Sequence, residues 1–345
     1  LSRPTTLRSA GDLIAAGLID AADAAAIQQV AARYAVAVTP AVAGLMDAAD
    51  PDDPIARQYL PSPAELTSTA GERNDPIGDA AHSPVKGVVH RYPDRVLLTP
   101  VLACPVYCRF CFRRARVGQG ESALSEAEIE AALGYVSARP ELREVIVTGG
   151  DPLMLGAPRI AALLARLSAI PHLEVARFHS RIPVADPDRI TEAMAAALRP
   201  PPGAALAVWL AVHVNHPREL SAPARAAIAR LADAGLPLVS QTVLLKGVND
   251  SVGVLEDLMR ALVRNRIRPY YLHHPDLAPG TGHFRPTVAE GRHLMRQLRG
   301  RLSGLAQPTY VLDIPGGLGK VPVGPDYWDG DGVTDSRGRR HPYRG

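Results

Sequence analysis

Between residues 95 and 313 short apolar runs rich in Val, Ile and Leu alternate with longer stretches of helical periodicity, a rhythm that restricts the fold more than any other feature. Strands are predicted over 96–99, 144–148, 175–178, 207–213, 237–242, 267–272 and 309–313. Helices are predicted between and after them, over 126–138, 157–169, 189–198, 223–234, 254–265 and 288–300. A strand that returns through a helix to the next strand lies parallel to it, so the chain is an α/β protein, either an open doubly wound sheet or a barrel. Polar and unusual residues recur where the predicted strands end, which favours a barrel with its active site on that face. With 345 residues and 47% apolar content, the chain can bury a core of that size.

Outside the alternating region the patterns change. Residues 7–36 are Ala-rich, with Leu13, Leu18, Ile27 and Val30 at helical spacing and Ser9 and Asp20 placed as N-caps, which predicts two short helices. Residues 40–86 are dense in Pro, Asp and Ser and read as an extended connector that wraps the core or a partner subunit. The tail carries Asp329-Gly-Asp-Gly-Val-Thr-Asp335. It lacks the closing Glu of a calcium loop, and Asp-Gly predicts a hairpin turn there. The 38 basic and 35 acidic residues are interspersed for a net charge of +3, so no basic stripe offers itself to nucleic acid. No apolar run approaches the ~20 residues of a membrane span, and no signal-peptide pattern opens the chain. The expected location is the cytoplasm, where free cysteines stay reduced.

All three cysteines fall within eight residues, as Cys104-Pro-Val-Tyr-Cys108-Arg-Phe-Cys111. Three thiolates can hold a 4Fe–4S cluster and leave one iron open to a small molecule. The competing readings are a zinc site, which would need a fourth ligand, and three thiols that only pack. One βα unit later, Thr148-Gly-Gly-Asp151 ends a predicted strand; two glycines there suit either a tight turn or a close approach to a ligand. Gly316-Gly-Leu-Gly319 precedes Lys320, one of three lysines with Lys86 and Lys246. A lysine there is a surface residue on an ordinary turn or an amine presented to an aldehyde cofactor.

The C-x3-C-x2-C run with an aromatic residue before its middle cysteine resembles the radical S-adenosylmethionine superfamily. The likeness narrows through His90-Arg-Tyr-Pro-Asp-Arg95, Cys111-Phe-Arg-Arg114, Thr148-Gly-Gly-Asp151, Ser180-Arg-Ile-Pro183, His213-Val-Asn-His-Pro217, Gln241 to Asp250, Arg268-Pro-Tyr-Tyr271 and Asp313-Ile-Pro-Gly-Gly-Leu-Gly-Lys320. Together, and in this order, they resemble lysine 2,3-aminomutase from about residue 40 to residue 328. The resemblance implies a partial (β/α)6-type barrel over 87–305, preceded by the helical and extended segment 1–86 and followed by a cofactor-lysine segment and tail over 306–345. It implies three cofactors: a 4Fe–4S cluster on Cys104, Cys108 and Cys111, S-adenosylmethionine on its open iron, and pyridoxal 5′-phosphate on Lys320. Gly149, Gly150 and Asp151 would meet the methionine amino group, and His213 and Gln241 would also contact S-adenosylmethionine. Tyr92 would stack on the pyridine ring with Arg91 and Arg95 near the phosphate. Arg113 would bind the substrate carboxylate, and Asp276 and Asp313 its distal ammonium.

The implied reaction converts L-lysine to L-β-lysine by radical migration of the amino group, with an electron donor of flavodoxin or ferredoxin type and a homo-oligomer, expected here as a dimer. The chain lacks the C-terminal zinc-binding cysteines of larger relatives and resembles compact ones, including the enzyme that makes β-lysine for elongation factor P. Asp313-Ile-Pro-Gly-Gly317 favours the free-lysine mutase. Arginine or ornithine would also suit a carboxylate pair, whereas glutamate would not. A zinc-stabilised scaffold without catalysis is the reading from another class.

Overall fold

The computed structural model describes residues 5–120 and 123–343. Nine strands form one sheet in sequence order: β1 (Val88–Tyr92), β2 (Arg95–Val101), β3 (Glu144–Gly149), β4 (Val175–Ser180), β5 (Ala207–His213), β6 (Leu238–Val243), β7 (Ile267–His273), β8 (Thr309–Asp313) and β9 (Lys320–Pro322). From β2 to β8 every neighbour is parallel, and β1 and β9 pair antiparallel at the two edges. The seven predicted strands are β2 to β8. Before them lie α1 (Ala10–Ala15), α2 (Ala24–Arg33), α3 (Pro40–Ala43) and α4 (Ala56–Tyr59). Between and after the parallel strands come α5 (Glu126–Ser137), α6 (Ala157–Ser168), α7 (Ile182–Ala185), α8 (Glu192–Ala197), α9 (Ala222–Asp233), α10 (Val252–Arg264) and α11 (Val288–Arg299). The predicted helix over 189–198 shortens to α8, because Pro187 opens a separate turn and Thr191 caps the helix proper.

The parallel strands bury the face that meets the helices, while the other face lines the barrel interior and is only partly buried. Val96, Leu98, Val145, Val147, Ala176 and Phe178 pack with Ile160, Leu164 and Leu167 of α6 and with Leu231, Leu258, Leu262 and Leu298 of later helices. Each fully buried side chain of this kind contributes about 1.5–3 kcal/mol, so the helical layer is held by area rather than by any single contact. Gly291 lets α11 seat on β8, since a Cβ there would collide with the Tyr310 hydroxyl, which is bonded to His274 Nδ1 at 2.8 Å.

The sheet curls into a partial barrel whose outer strands are linked by side chains. Lys320 N donates to Tyr92 Oη at 2.7 Å, and Arg91 stands 3.7 Å from Asp313. Neither β1 nor β9 was predicted from the sequence. Both are short, and each forms because an edge of the parallel sheet offers it hydrogen-bonding groups.

Residues 40–86 are largely irregular, as their composition predicts, yet they are packed rather than loose. Asp53, Gln58, Tyr59, Glu65 and Asp79 are all buried. Asp53 caps α4 through Ile55 N and Ala56 N and holds Arg218 at 2.6 Å. Glu65 accepts Arg109 Nε at 2.9 Å and Arg109 NH2 at 2.6 Å, and it also takes Arg114. The connector is thereby fastened to the cysteine loop. In the tail, the Asp-Gly repeat makes the predicted turn, closed by a bridge between Trp328 and Val333, and β10 (Gly332–Thr334) pairs with β11 (Arg340–Pro342). Asp329 is bonded to Arg340 and Asp335 to Arg339, so these carboxylates are committed to arginines.

Glu65→Gln would leave Arg109 and Arg114 buried without a counter-charge. The expected loss is about 3–5 kcal/mol of folding free energy, read as a lower midpoint in denaturant titration.

Candidate active site

The cysteine loop leaves the C-terminal end of β2 and is pinned beside the glycine turn that leaves β3. Gly150 N donates to Val101 O at 2.7 Å and Asp151 N to Ala103 O at 3.0 Å. Gly149 has φ +107°, and a Cβ on Gly150 would run into the backbone of Ala103, so both glycines are required for the approach. Asp151 is occupied within the protein. Its carboxylate accepts Ser180 Oγ at 2.8 Å, Arg181 N at 2.7 Å and Ile182 N at 3.1 Å, tying the end of β3 to that of β4. Burial pushes its pKa up to about 6 in spite of those bonds.

The three thiols are half-buried. Burial raises all three, and the neighbouring charges of Asp151, Cys111 and Cys108 raise Cys104 further. Cys111 is pushed to about 11. Thiolates so placed ionise as a set only with a cation among them. Three thiols leave a zinc tetrahedron one ligand short. A cluster of four irons and four sulfides is wider than one ion, and the three-thiol donor set fits it.

Sequence reasoning did not find the network behind the thiols. Arg181 NH1 donates to Cys108 Sγ at 2.9 Å, while NH2 reaches Gln58 Oε1 at 2.6 Å and Glu219 Oε2 at 2.7 Å. Burial would lower the Arg181 pKa, but Cys108 and Glu219 outweigh it and hold the guanidinium protonated. Asn215 joins the network through Gln58 at 3.0 Å and takes His213 Nε2 at 3.1 Å. His213 is held neutral by burial, with its pKa lowered to about 3. Gln241 Nε2 lies 3.4 Å from His273 Nε2, and burial also keeps His179 and His273 neutral. One clue to Glu219 was present: with His216 it makes a capping box over the turn after β5.

Across the barrel mouth lies a chain of alternating charge. Arg113 is bonded to Asp79 at 2.9 and 3.0 Å; Arg91 stands 3.9 Å from Asp79 and 3.7 Å from Asp313; Lys320 Nζ is paired with Asp313. Asp276 completes the group. Burial and the charge of Asp313 push its pKa to about 7, against the pull of Lys320, Arg113 and Arg91. Arg113, Asp276, Asp313 and Lys320 are thus brought together from three separate stretches of sequence. Arg91 points into the same group and donates to Ile77 O at 3.1 Å. Arg95 instead lies 3.8 Å over the Tyr92 ring and is bonded to Asp94 at 2.6 Å. Lys320 Nζ is 5.9 Å above the ring of Tyr271, which stacks on Tyr270 with centroids 3.8 Å apart.

Three buried polar atoms in this region, Asp79 Oδ1, Asp313 Oδ1 and His179 Nε2, have no hydrogen-bond partner. With the amine of Lys320, the Tyr92 ring and the nearby guanidiniums, they fit a charged, aromatic cofactor and a doubly charged amino acid.

Comparison with known proteins identifies the scaffold. Residues 98–258 match the family described as Radical SAM superfamily, and residues 295–332 match that described as Lysine-2,3-aminomutase. The L-lysine 2,3-aminomutase of Acetoanaerobium sticklandii is 44% identical over 292 residues, covering 85% of this chain and 70% of that protein. The L-lysine 2,3-aminomutase of Escherichia coli is 39% identical over 278 residues, covering 81% of this chain and 80% of that protein. Glutamate 2,3-aminomutase of Clostridioides difficile is 36% identical over 301 residues, covering 87% of this chain and 70% of that protein. An isomerase scaffold suited to a 4Fe–4S cluster and S-adenosylmethionine, with these relatives, makes the chain a member of the lysine 2,3-aminomutase family of the radical S-adenosylmethionine superfamily.

Proposed function

We propose that this protein converts free L-lysine to L-β-lysine, with pyridoxal 5′-phosphate held at Lys320. The observation that carries the reading is that Asp313 is paired with the ammonium of Lys320 while Asp276 lies near enough to both for their charges to shift its pKa. A lysine substrate brings a second ammonium, and two carboxylates facing it give charge-assisted hydrogen bonds. The distal carboxylate of glutamate would meet two acids instead, so a substrate of the kind in the name of the Clostridioides difficile relative is disfavoured.

When bound, the cluster with S-adenosylmethionine supplies a 5′-deoxyadenosyl radical, and pyridoxal phosphate delocalises the unpaired electron that results. The protein's own part is placement. Cys104, Cys108 and Cys111 would hold the cluster, and the Gly149–Gly150 backbone lies alongside for the methionine end. Arg113 would take the substrate carboxylate. Lys320 must leave Asp313 to engage a cofactor, and the distal ammonium of the substrate would then replace it, so that Asp313 keeps a cation throughout. The neutral histidines and the Tyr270–Tyr271 stack would help keep bulk water from the reacting carbon. The remaining readings are a one-electron donor of flavodoxin or ferredoxin type, a homodimer and a cytoplasmic location. No helix among the described residues is long and apolar enough to cross a membrane.

The deciding experiment is anaerobic incubation of cluster-reconstituted protein with pyridoxal phosphate, S-adenosylmethionine, dithionite and one amino acid, followed by chromatography. L-Lysine should give β-lysine, and L-glutamate no β-glutamate. Cys108→Ala should abolish turnover, and Lys320→Ala should do the same with the cluster intact. Asp313→Asn should lower kcat/KM for lysine by an amount equivalent to about 2–5 kcal/mol. Deoxyadenosine formed without β-lysine would reject lysine as substrate.

A second prediction concerns pH. In the ligand-free protein the Asp276 carboxyl has its pKa raised from 3.8 to about 7, so the folded state holds this proton more tightly than the unfolded chain. Its contribution to stability is therefore fully present below pH 3.8 and is lost as pH rises toward 7. Relative to Asp276→Asn, the wild-type protein should lose stability across that interval and stay level above it, as measured by denaturant titration at several pH values.

A further inference from the structure

We propose that Asp79 is a positioning residue for Arg113, holding the guanidinium by one edge so that its other end meets the carboxylate of the amino-acid substrate. The proposal rests on the reading of Arg113 given above and adds a residue from the connector, outside the barrel strands, to the specificity machinery.

Geometry is the first ground. Arg113 Nε and NH2 both donate to the same Asp79 oxygen, at 3.0 and 2.9 Å. The side-on edge of the guanidinium is therefore fixed, while the end that carries NH1 is not committed to Asp79. A planar fork anchored along one edge presents the other in a defined plane, which a flexible cation could not do.

Rigidity is the second. Asp79 N donates to Asp75 Oδ1 at 2.9 Å, and Asp79 O accepts Ser83 Oγ at 2.7 Å. Gly78, just before it, has φ +69°, and a Cβ there would come within 2.6 Å of the Gly316 carbonyl carbon. A Cβ on Gly317 would strike the His82 ring. The turn that carries Asp79 is thus packed backbone to backbone against the glycine loop leading to Lys320. The two ends of the substrate site are set by segments that touch each other.

Charge is the third. Asp79 lies between two guanidiniums, bonded to Arg113 and 3.9 Å from Arg91 Nε, and the trio keeps a net positive charge for an incoming carboxylate. Its other oxygen is buried without a hydrogen-bond partner. A stability device would satisfy both oxygens, whereas an alignment device needs only the one.

The test compares binding of L-lysine with that of L-lysinamide, which lacks the carboxylate charge, by titrating cofactor absorbance in the anaerobic holoenzyme without reductant. Arg113→Gln should weaken lysine by about tenfold or more and leave lysinamide within about twofold. Asp79→Asn should do the same, and Asp79→Glu should restore most of the preference for lysine. Adding Asp79→Asn to Arg113→Gln should lower the preference no further, because Asp79 acts only through Arg113. The double variant leaves neither charge unpaired with the other, so this comparison serves even where Asp79→Asn alone does not fold. Equal weakening of lysine and lysinamide in Asp79→Asn, or a further fall in the double variant, would overturn the proposal. Selective loss in Arg113→Gln with none in Asp79→Asn would overturn it while leaving the proposed function standing. An unchanged preference in Arg113→Gln would remove the carboxylate role of Arg113 and this proposal with it.

Discussion

Taking a carboxylate or guanidinium out of water costs several kcal/mol unless a partner of opposite sign comes with it. This barrel takes many. Arg113, Asp79, Arg91, Asp313, Lys320 and Asp276 meet at its mouth, Arg181 and Glu219 lie behind the thiols, and Glu65 joins two arginines beneath the cysteine loop. Every one of these groups depends on residues distant in sequence. Much of the apparent irregularity of the connector is explained by this need. It supplies Glu65, Gln58 and Asp79, counter-charges and acceptors that Arg109, Arg181 and Arg113 do not find on the parallel strands.

The barrel was legible because its signal is repeated and local. The strands carry buried Val, Leu, Ala and Phe on the face that meets the helices, and the helices between them carry caps such as Ser125, Ser221 and Thr287. The edge strands escaped notice because their pairing is dictated by the sheet beside them and not by their own residues. At the site, the cysteines, Asp276, Asp313 and Lys320 could be named from motif resemblance. Asp79 could not, since it lies 34 positions from Arg113 in a Pro- and Asp-rich stretch where nothing local marks a buried acid. Arg91 was expected near a phosphate. The fold turns it toward Asp79 and Asp313, a direction that depends on how far the sheet curls.

Relatives named for lysine and for glutamate show that one scaffold accepts substrates with opposite distal charges. In the proposed function the part of the site that would read this charge is small, namely the ends of β7 and β8 with the short loop beyond β7. The thiols and the glycine turn stand at the ends of β2 and β3. On that proposal, radical generation and the reading of the distal charge would occupy different parts of the sheet, and one could vary while the other is kept.

The link between β1 and β9 divides a single residue into two offices. Tyr92 is bonded to the backbone of Lys320, while the ammonium of the same residue faces Asp313. Any residue but proline has the N–H that fastens the two margins of the curled sheet, so the architecture is indifferent to the side chain there. The chemistry proposed for position 320 could be lost or exchanged without unfastening the barrel, and a lineage that abandoned it would keep its shape.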